Sequence, residues 1–543
     1  MDWQSVTIGQ VLADRAAQLP DKIALAARDQ RLTFRELNTL VDALAAALAS
    51  LGVQRGDTVA LWMTNTPTWI AVWFACARLG AVLAPINTRY KLEEATYILR
   101  QSEARVLIAM DQYWGIDYLD MVRQMVPDLG SMNPERLATT ALSALRSVVL
   151  WNGASAPGTL CLDDLIARGQ VSPAPHLPLS ADDPAIIVYT SGTTGWPKGA
   201  VHGHIALRNC ANMARALHVE ADDVILGHMP YYHVAGAFAA VLMALWSGCT
   251  LVTVPHWKPA EIVDLIERER VSIMGGIPTH YIDLVDNVRR TGKRPTSLKT
   301  GWIGGATVTP EVATAARDEL NMRSLQAVYG MTETTSMTTL SGFDDPIEVL
   351  CDNKGKPIGK FEVAAVADDG MPVRTGEVGE VWVRGHLVMQ GYYRDPKATN
   401  EVMTSDGWFK TGDLGSFDEA GYLKITGRKK DMFIVGGSNA YPAEIERMLQ
   451  SHPAVRQAVV VGVPDRRLGE VGFAFLELSD GSSVDAAQLG AFCRGVMADY
   501  KVPRYFEFVT EFPKTTTGKI QRATLARQAS DSVDRGEVTT ASA

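Results

Sequence analysis

The chain has 543 residues, which is too long for one ordinary core and corresponds to roughly three or four domain-sized units. Hydrophobic residues make up 47% of it and charged residues 21%, the proportions of a globular protein. The 61 Asp and Glu outnumber the 52 Lys and Arg, so the net charge is −9. Because binding to a phosphate backbone needs a clustered basic surface, we expect no nucleic-acid partner.

The six cysteines lie far apart without C-x-x-C spacing, so we expect reduced thiols and no disulfide framework. The first residues lack the apolar stretch of a signal peptide. From Pro67 to Ile86 the chain is apolar over about the length of a membrane span, but Arg78, Gly80 and two prolines interrupt it. The pattern favours a buried helix, Trp69–Leu79, and a buried strand, Ala81–Pro85. We therefore expect a cytoplasmic protein without an integral membrane segment.

The first 90 residues alternate short β-type runs with helical patterns. Strands are predicted at Lys22–Ala27 and Thr58–Trp62, and a helix at Thr33–Leu51. Thr33, at the start of this helical pattern, forms a capping-box sequence with Glu36. Residues 130–182 are rich in Ala, Ser, Pro and Gly, which predicts an irregular surface excursion.

From Ala185 the alternation resumes, with helical patterns such as Pro259–Arg270 between runs of β-branched residues. Such spacing predicts parallel sheets with helices on both faces. The predicted strands are Ala185–Tyr189, Val224–Leu226, Thr250–Val254, Val271–Gly275 and Leu325–Tyr329. Alternation over 380–384 and a turn sequence at Asp418–Gly421 predict an antiparallel, β-barrel-like region.

A smaller α+β unit is predicted after about residue 430. The tail, residues 530–543, lacks large apolar side chains and is predicted to be disordered. The elements predicted in this unit are helices at Pro442–Gln450 and Asp485–Met497 and strands at Ala458–Val463 and Phe473–Leu478.

The segment Thr190–Gly199, with the sequence TSGTTGWPKG, directly follows a predicted buried strand. Its glycines let backbone amides approach a ligand closely, and Lys198 adds a positive charge, so the loop suits a polyphosphate. It lacks the spacing of a Walker A loop. The residues predicted to contact the phosphates, besides Lys198, are Thr190, Ser191, Gly192, Thr193, Thr194 and Gly195.

This segment resembles the phosphate-loop signature of the adenylate-forming superfamily, which includes acyl-CoA synthetases, luciferases and peptide-synthetase adenylation domains. Further signatures of that family follow in order as far as Lys519, so the resemblance covers residues 190–519 by motif. The matching segments are YGMTE at Tyr329–Glu333, WFKTGD at Trp408–Asp413, GRKKD at Gly427–Asp431, GGSN and YPAEIE within 436–446, and PKTTTGK at Pro513–Lys519.

The resemblance implies an α/β fold with a large N-terminal AMP-binding domain, residues 1–427, built from doubly wound α/β subdomains. A hinge at 428–430, centred on Lys430, would join it to a small mobile lid domain, residues 431–529. In similar enzymes the lid rotates between two half-reactions. The first forms an acyl-adenylate and pyrophosphate from ATP and a carboxylate, and the second transfers the acyl group to a thiol.

The resemblance also implies the roles of single residues in the first half-reaction. Because charge repulsion dominates the barrier, the site needs a divalent cation and fixed donors. Glu333 is the expected Mg²⁺ ligand, Thr332 an expected donor to the α-phosphate, and Lys519 the cation that orients the carboxylate and the bridging oxygen. The expected nucleotide contacts are Tyr329 and Gly330 at adenine, Gly304, Gly305 and Ala306 along the base and acyl channel, Asp413 at both ribose hydroxyls, and Arg428 beside the ribose or phosphates.

In the second half-reaction, Gly436, Gly437 and Ser438 are expected to line a narrow tunnel for the pantetheine arm of CoA. His233 and Val234 match the family segment at the mouth of the acyl pocket, and the stretch His233–Ala240 contains no acid that would pair with an amino group. A hydrophobic acid is therefore predicted. Trp302, just before Gly304, would shorten the pocket and favour a medium-chain or cyclic acid.

The predicted function is an AMP-forming acid–thiol ligase that uses ATP, Mg²⁺ and CoA to make acyl-CoA. Three alternatives stay open: a stand-alone enzyme that loads a carrier protein or uses oxygen, an aryl-acid CoA ligase, and a catalytically silent protein. The last is disfavoured because every expected charged group is present. The oligomeric state is open, with a homodimer among the alternatives. His202, His204, His228 and His233 lack further spaced ligands, so no metal site is predicted there, and His204 is given a structural role only.

Overall fold

A computed structural model describes residues 3–151, 153, 155–171, 177–190, 196–305, 308–435, 438–515 and 519–540, without the side chains of 438, 439 and 540. Within those ranges, no helix has the length and apolar character needed to cross a membrane. The helices are α1 Ile8–Gln18, α2 Phe34–Ser50, α3 Pro67–Leu79, α4 Leu92–Gln101, α5 Tyr118–Met125, α6 Leu162–Gln170, α7 Ala206–Ala216, α8 Val234–Gly236, α9 Met243–Ser247, α10 Pro259–Glu269, α11 Pro278–Thr291, α12 Pro310–Glu319, α13 Ile347–Cys351, α14 Pro396–Val402, α15 Pro442–Gln450, α16 Ala486–Val496 and α17 Arg522–Arg535.

The strands vary from two to eleven residues. They are β1 Ile23–Ala26, β2 Arg31–Thr33, β3 Thr58–Trp62, β4 Val82–Pro85, β5 Val106–Ala109, β6 Gln112–Tyr113, β7 Ile116–Asp117, β8 Ser147–Leu150, β9 Leu160–Cys161, β10 Pro184–Thr190, β11 Lys198–Gly203, β12 Val224–Gly227, β13 Thr250–Thr253, β14 Ile273–Gly276, β15 Thr300–Gly304, β16 Ser324–Tyr329, β17 Thr339–Leu340, β18 Lys354–Pro357, β19 Glu362–Val366, β20 Gly379–Arg384, β21 Gly391–Tyr392, β22 Phe409–Phe417, β23 Leu423–Arg428, β24 Phe433–Val435, β25 Ser438–Ala440, β26 Val455–Asp465, β27 Gly469–Leu478, β28 Tyr505–Phe508 and β29 Thr539–Thr540.

The chain divides into two compact units, and the first combines Met1–Glu362 with Val383–Phe409. One of its sheets has the order β21-β11-β10-β4-β3-β5-β8-β9. In the other, β16-β15-β14-β12-β13-β1 are neighbours and parallel. Successive residues of β14 and β15 enter different buried clusters, Ile273 and Trp302 in one, Met274 and Ile303 in the other. Both faces of this sheet are therefore covered, which confirms the predicted doubly wound architecture.

The second unit combines Val363–Trp382 with Lys410–Ala543. Strands β19, β20, β22 and β23 lie side by side in that order. As the turn sequence predicted, β22 and β23 form an antiparallel hairpin, in which Asp418 Oδ1 accepts from the amides of Ala420 and Tyr422. The rest of the unit is a sheet, β25-β24-β27-β28-β29 with β26 on β27, flanked by α15, α16 and α17. The chain after residue 430 thus contains both helices and strands, as predicted.

Elements with strong local patterns have the predicted bounds or nearly so. Strand β3 and helix α15 match the prediction residue for residue. At the start of α2, Thr33 Oγ1 accepts from the Glu36 amide at 3.2 Å, and the Glu36 carboxylate accepts from the Thr33 amide at 2.8 Å. This is the predicted capping box.

Two predictions of irregular structure were wrong. Within residues 130–182, β8 is fully buried and pairs with β5, and α6 packs on α2. Three apolar residues after a serine, among small and polar neighbours, were too short a signal to indicate that strand. The tail is ordered beyond residue 529, because α17 continues to Arg535 and β29 pairs with β28. Ser532 is buried there and Val533 packs on the core, so small side chains suffice.

Candidate active site

The predicted phosphate loop connects two antiparallel strands of the first unit. Thr190 ends β10 and Lys198 begins β11, and the two are direct partners across the ladder. Both are half-buried. The five residues from Ser191 to Gly195 lie outside the described residues, so their predicted phosphate contacts stay a prediction. Trp196, at the end of the loop, stacks on Tyr97 with 4.8 Å between ring centroids.

The predicted adenine and magnesium motif follows the carboxyl end of β16, next to β15 in the other sheet of this unit. Such edges of parallel sheets are common ligand sites. Tyr329 is the last residue of the strand and is half-buried. At Gly330 a Cβ atom would lie 2.0 Å from the carbonyl oxygen of Ser336, so no side chain fits there. The motif then turns through a short 3₁₀ helix, Thr332–Thr334, in which Thr332 is buried.

Glu333 is half-buried and is held by β21 and the residues before it. Its carbonyl oxygen accepts from the Met389 amide at 2.8 Å, and its Oε1 accepts from the Tyr392 hydroxyl at 2.8 Å. Among the described residues, none donates a hydrogen bond to the other carboxylate oxygen. This donor set fits Mg²⁺, because that ion is usually held by one or two carboxylates together with substrate phosphates.

Tyr392 also contacts the predicted phosphate-loop cation. The Lys198 Nζ lies 5.2 Å from the centroid of the Tyr392 ring, which is within cation–π range. Burial, and after it the negative charge of Glu333, raises the pKa of Tyr392 above its usual value. The phenol therefore remains a neutral donor. The sequence reasoning missed this residue, since 59 residues separate it from Glu333.

His202 is a second residue that the sequence reasoning did not place in the site. It is buried on β11, and its Nε2 lies 2.8 Å from the carbonyl oxygen of Thr332. Burial lowers the pKa of His202 to about 4, so the ring is neutral near pH 7. Because a carbonyl oxygen can only accept, Nε2 carries the proton. His202 thus fixes the backbone beside Glu333.

The predicted acyl-pocket residues lie in the first unit. His233 caps α8, where its Nδ1 accepts from the Ala235 amide at 3.3 Å, and Val234 is buried. A π-helical turn, Ala237–Leu242, joins α8 to α9. Trp302 belongs to the same buried cluster as Val234. Its indole lies across β14, so that a Cβ atom on Gly275 would be 1.9 Å from Trp302 Cε2. Gly304 and Gly305 follow at the strand end, and Ala306 is outside the described residues.

A buried amide holds the chain in front of His233. Asn65 follows β3, and its Nδ2 donates to the carbonyl oxygens of Met229 at 2.9 Å and Gly227 at 3.2 Å. Its Oδ1 accepts from the Tyr231 amide at 3.0 Å. No local pattern in the sequence indicates these contacts, because they span more than 160 residues.

In the second unit, the residues predicted to bind the ribose, Asp413 and Arg428, are direct partners across the β22–β23 hairpin. Asp413 is buried, and its Oδ1 lies 3.1 Å from Nε of Arg428, which is half-exposed. The next residue, Lys429, binds Asp368 Oδ1 at 2.8 Å and Glu380 Oε2 at 3.3 Å. Lys430, the predicted hinge residue, is exposed.

The predicted catalytic lysine pairs through its backbone with Thr515 in the same unit. Lys519 is exposed, its amide donates to Thr515 Oγ1 at 3.1 Å, and its carbonyl oxygen accepts from the Thr515 amide at 2.7 Å. Arg522, just beyond it, forms a two-pronged ion pair with Glu446 of α15, with both N–O distances at 2.6 Å.

Of the predicted thiol-side loop, Ser438 lies in β25, and only its backbone is described. Gly436 and Gly437 fall outside the described residues, so their predicted contacts with CoA stay a prediction.

Lys198 begins β11 and Glu333 follows the carboxyl end of β16, so a cation and an acid lie at strand ends of one doubly wound unit. The family model described as AMP-binding enzyme matches residues 12–393, and the model of the AMP-binding enzyme C-terminal domain matches residues 444–519. The chain therefore belongs to the AMP-binding enzyme family.

The chain is similar to CoA ligases, and the similarity extends over most of the length of both proteins. It is 34% identical over 541 residues to the mitochondrial medium-chain acyl-CoA ligase ACSF2 of Macaca fascicularis, covering 96% of this chain and 87% of that one. It is 36% identical over 529 residues to a methyl-dioxo-octahydroindenyl-propanoyl:CoA ligase of Mycobacterium tuberculosis, covering 96% and 98%. The crystal structure of the anthranilate CoA ligase AuaEII with anthranoyl-AMP superposes with a TM-score of 0.86 at 27% identity, covering 98% of each chain.

Proposed function

We propose that this protein is an AMP-forming acid–CoA ligase. It joins a hydrophobic carboxylic acid to AMP with release of pyrophosphate, and then transfers the acyl group to the thiol of CoA with release of AMP. The observation that carries the proposal is the placement of Lys198 and Glu333 on one tyrosine beside the phosphate-loop strand. A cation and an acidic metal ligand so placed suit attack on a phosphate, where charge must be neutralised.

In the adenylation step, Lys198 and the phosphate-loop residues bind the phosphates of ATP. Thr332 donates to the α-phosphate, and Glu333 would hold Mg²⁺. The ion supplies charge neutralisation at the phosphates. Tyr329 and Gly330 bind adenine. A buried histidine, His202, fixes the Thr332 backbone, so these groups need little reorganisation when the nucleotide binds.

The second unit supplies the remaining groups. Asp413 accepts from the ribose hydroxyls, and Arg428 supports the ribose or phosphate side. Lys519 orients the attacking carboxylate. The proposal keeps the predicted domain bounds 1–427 and 431–529, the hinge at Lys430, and the thiol-side loop of Gly436, Gly437 and Ser438.

We further propose a medium-chain or cyclic acid as the acyl group. The relatives named for a medium-chain acid and for a fused-ring propanoate support this. So does the indole of Trp302, which fills the space over Gly275 on the face that carries α8. Trp302→Ala should therefore widen chain-length tolerance. Unchanged relative rates over C6 to C16 acids would remove this part of the proposal.

We also propose a cytoplasmic location and a homodimer. Fractionation of the native host and light scattering of the purified protein address them.

The test is a mass-spectrometric assay with ATP, Mg²⁺, CoA and a pool of fatty, cyclic and aryl acids. New acyl-CoA species support the proposal and rank the substrates. Acyl-AMP without a thioester would transfer the protein to the carrier-loading alternative. Absence of both products, with a pool that spans all three acid classes, would count against acid activation.

The assignment of Lys519 has its own test, because the two half-reactions can be measured separately. Lys519→Ala should abolish adenylate formation and leave thioester formation from pre-made acyl-AMP largely intact. Gly437→Trp should have the opposite effect. Equal loss of both half-reactions in Lys519→Ala would overturn the assignment.

A further inference from the structure

Tyr392 lies between the two charged groups on which the proposed adenylation depends. Its hydroxyl donates to Glu333 Oε1 at 2.8 Å, and its ring faces the Lys198 ammonium at 5.2 Å. Among the described residues, no carboxylate lies within ion-pair distance of Lys198, and no cation lies within that distance of Glu333. Both charges are thus held by one neutral side chain.

A neutral partner suits groups that must bind a charged ligand. An ion pair would cancel the charge that the ligand needs, and separating it would cost free energy when the ligand binds. A phenol hydroxyl fixes a carboxylate by one hydrogen bond, and an aromatic face holds an ammonium weakly, so both charges stay available.

Tyr392 is mounted rigidly enough to position both groups. It pairs with Ala200 of β11, the strand that begins at Lys198. Its amide donates to Thr399 Oγ1 at 2.9 Å. The loop before it donates from the Met389 amide to the Glu333 carbonyl oxygen. Strand β21 therefore connects the phosphate-loop strand to the motif of Glu333.

We infer that Tyr392 is a positioning residue of the adenylation half-reaction, which orients the Glu333 carboxylate through its hydroxyl and the Lys198 ammonium through its ring. The inference rests on the proposed function. It assigns no contact with substrate to Tyr392. It predicts that the hydroxyl and the ring can be separated by substitution.

Tyr392→Phe keeps the ring over Lys198 and removes the hydrogen bond to Glu333. Loss of a residue that orients a metal ligand typically costs 10- to 100-fold, so we expect a fall of about that size in kcat for adenylate formation. The Mg²⁺ concentration for half-maximal rate should rise, and KM for the acid should not change. Tyr392→Leu removes both contacts and should also weaken binding of a non-hydrolysable ATP analogue, measured by calorimetry without turnover.

A double-mutant cycle distinguishes a positioning role of Tyr392 from a merely structural one. If Tyr392 acts through Glu333, Tyr392→Phe should have less than about a twofold effect in a Glu333→Gln background, because the group that it orients is already altered. The matched control is Tyr393→Phe, since the ring of Tyr393 contacts Arg394. The control should leave all these quantities near the wild-type values.

Two results would overturn the inference: a wild-type adenylation rate and Mg²⁺ dependence in Tyr392→Phe, or fully additive effects in the cycle. The conservative phenylalanine keeps the test decisive even if Tyr392→Leu does not fold. Failure of the proposed function itself looks different, because then the wild-type protein forms no acyl-AMP from the acid pool.

Discussion

Glu333 of the first unit and Glu446 of the second are carboxylates with opposite surroundings. Glu446 is 4% exposed, and Arg522 and the Val460 amide donate to it at 2.6 to 2.7 Å. Glu333 is only half-buried and is oriented by one neutral phenol. A carboxylate that the protein neutralises can stay ionised inside the fold, whereas one that is oriented but not neutralised can bind a cation.

Asp413 lies between these extremes. It is as buried as Glu446, but its partner Arg428, whose Nε lies 3.1 Å from Asp413 Oδ1, is half-exposed. A half-exposed guanidinium can turn toward a second anion at little cost, because water solvates it in either position. The arrangement suits a carboxylate that must accept from two hydroxyls of a ligand.

The largest expected effect concerns Glu333, the carboxylate that the protein orients but does not neutralise. Glu333→Gln should lower the adenylation rate about 10³-fold, because it removes the charge that holds the cation while keeping the shape. Its effect on the free energy of unfolding should be less than about 1 kcal/mol, since no ion pair is broken. Pyrophosphate release and urea unfolding measure the two quantities. A variant that lost stability and activity together would contradict the comparison.

The second prediction concerns the neutralised carboxylate. Arg522→Met leaves Glu446 buried without its cation and should lower the free energy of unfolding of the second unit by about 3 kcal/mol, near the low end for buried pairs because the guanidinium is about a third exposed. Arg522→Met with Glu446→Leu should recover much of this loss, because no unpaired charge remains. Denaturant unfolding of the single and double variants checks both statements. A double variant no more stable than the single one would be contrary to this account.

The sequence predicted most of the elements and nearly all of the proposed site residues, and for different reasons. Strand β3 and helix α15 follow from local periodicity and caps. The site residues came from motif resemblance. Strand β8 was missed because three apolar residues in a small-residue context carry little periodic signal.

Tyr392, His202 and Asn65 were missed for another reason. Their importance lies in contacts with residues 59, 130 and more than 160 positions away. A tyrosine after a glycine, or an asparagine after a strand, gives no local indication of its partner. Only the paired strands and the meeting of two sheets bring these groups together.

A third prediction uses the uneven distribution of histidine. Burial lowers the pKa of His202, His204 and His280 to about 4, and all three belong to the first unit. In the unfolded chain they take up protons near pH 6.5. Their stabilising effect is therefore complete above pH 6.5 and is lost as the pH falls toward 4, by up to about 1.4 kcal/mol per pH unit for each ring.

The second unit contains a single histidine, His452. Hydrogen exchange between pH 6.5 and 5 should therefore show faster global opening of the first unit than of the second. His202→Gln should make the pH dependence of the first unit shallower by up to one proton. Equal acid sensitivity of both units would argue against the buried rings as the cause.

The smallest expected effect is the control for the Arg522 prediction. Arg456 and Glu477 form an ion pair at 3.3 Å on neighbouring strands of the second unit, but Arg456 has 61% of its side chain exposed. Water already solvates this cation, so Arg456→Met should change the free energy of unfolding by about 0.5 kcal/mol or less. Denaturant unfolding should thus show a loss in free energy of unfolding that is several-fold larger for Arg522→Met than for Arg456→Met, although the two substitutions are chemically identical. Equal costs of Arg522→Met and Arg456→Met would mean that burial of the partner carboxylate does not decide how much an ion pair matters for the stability of this unit.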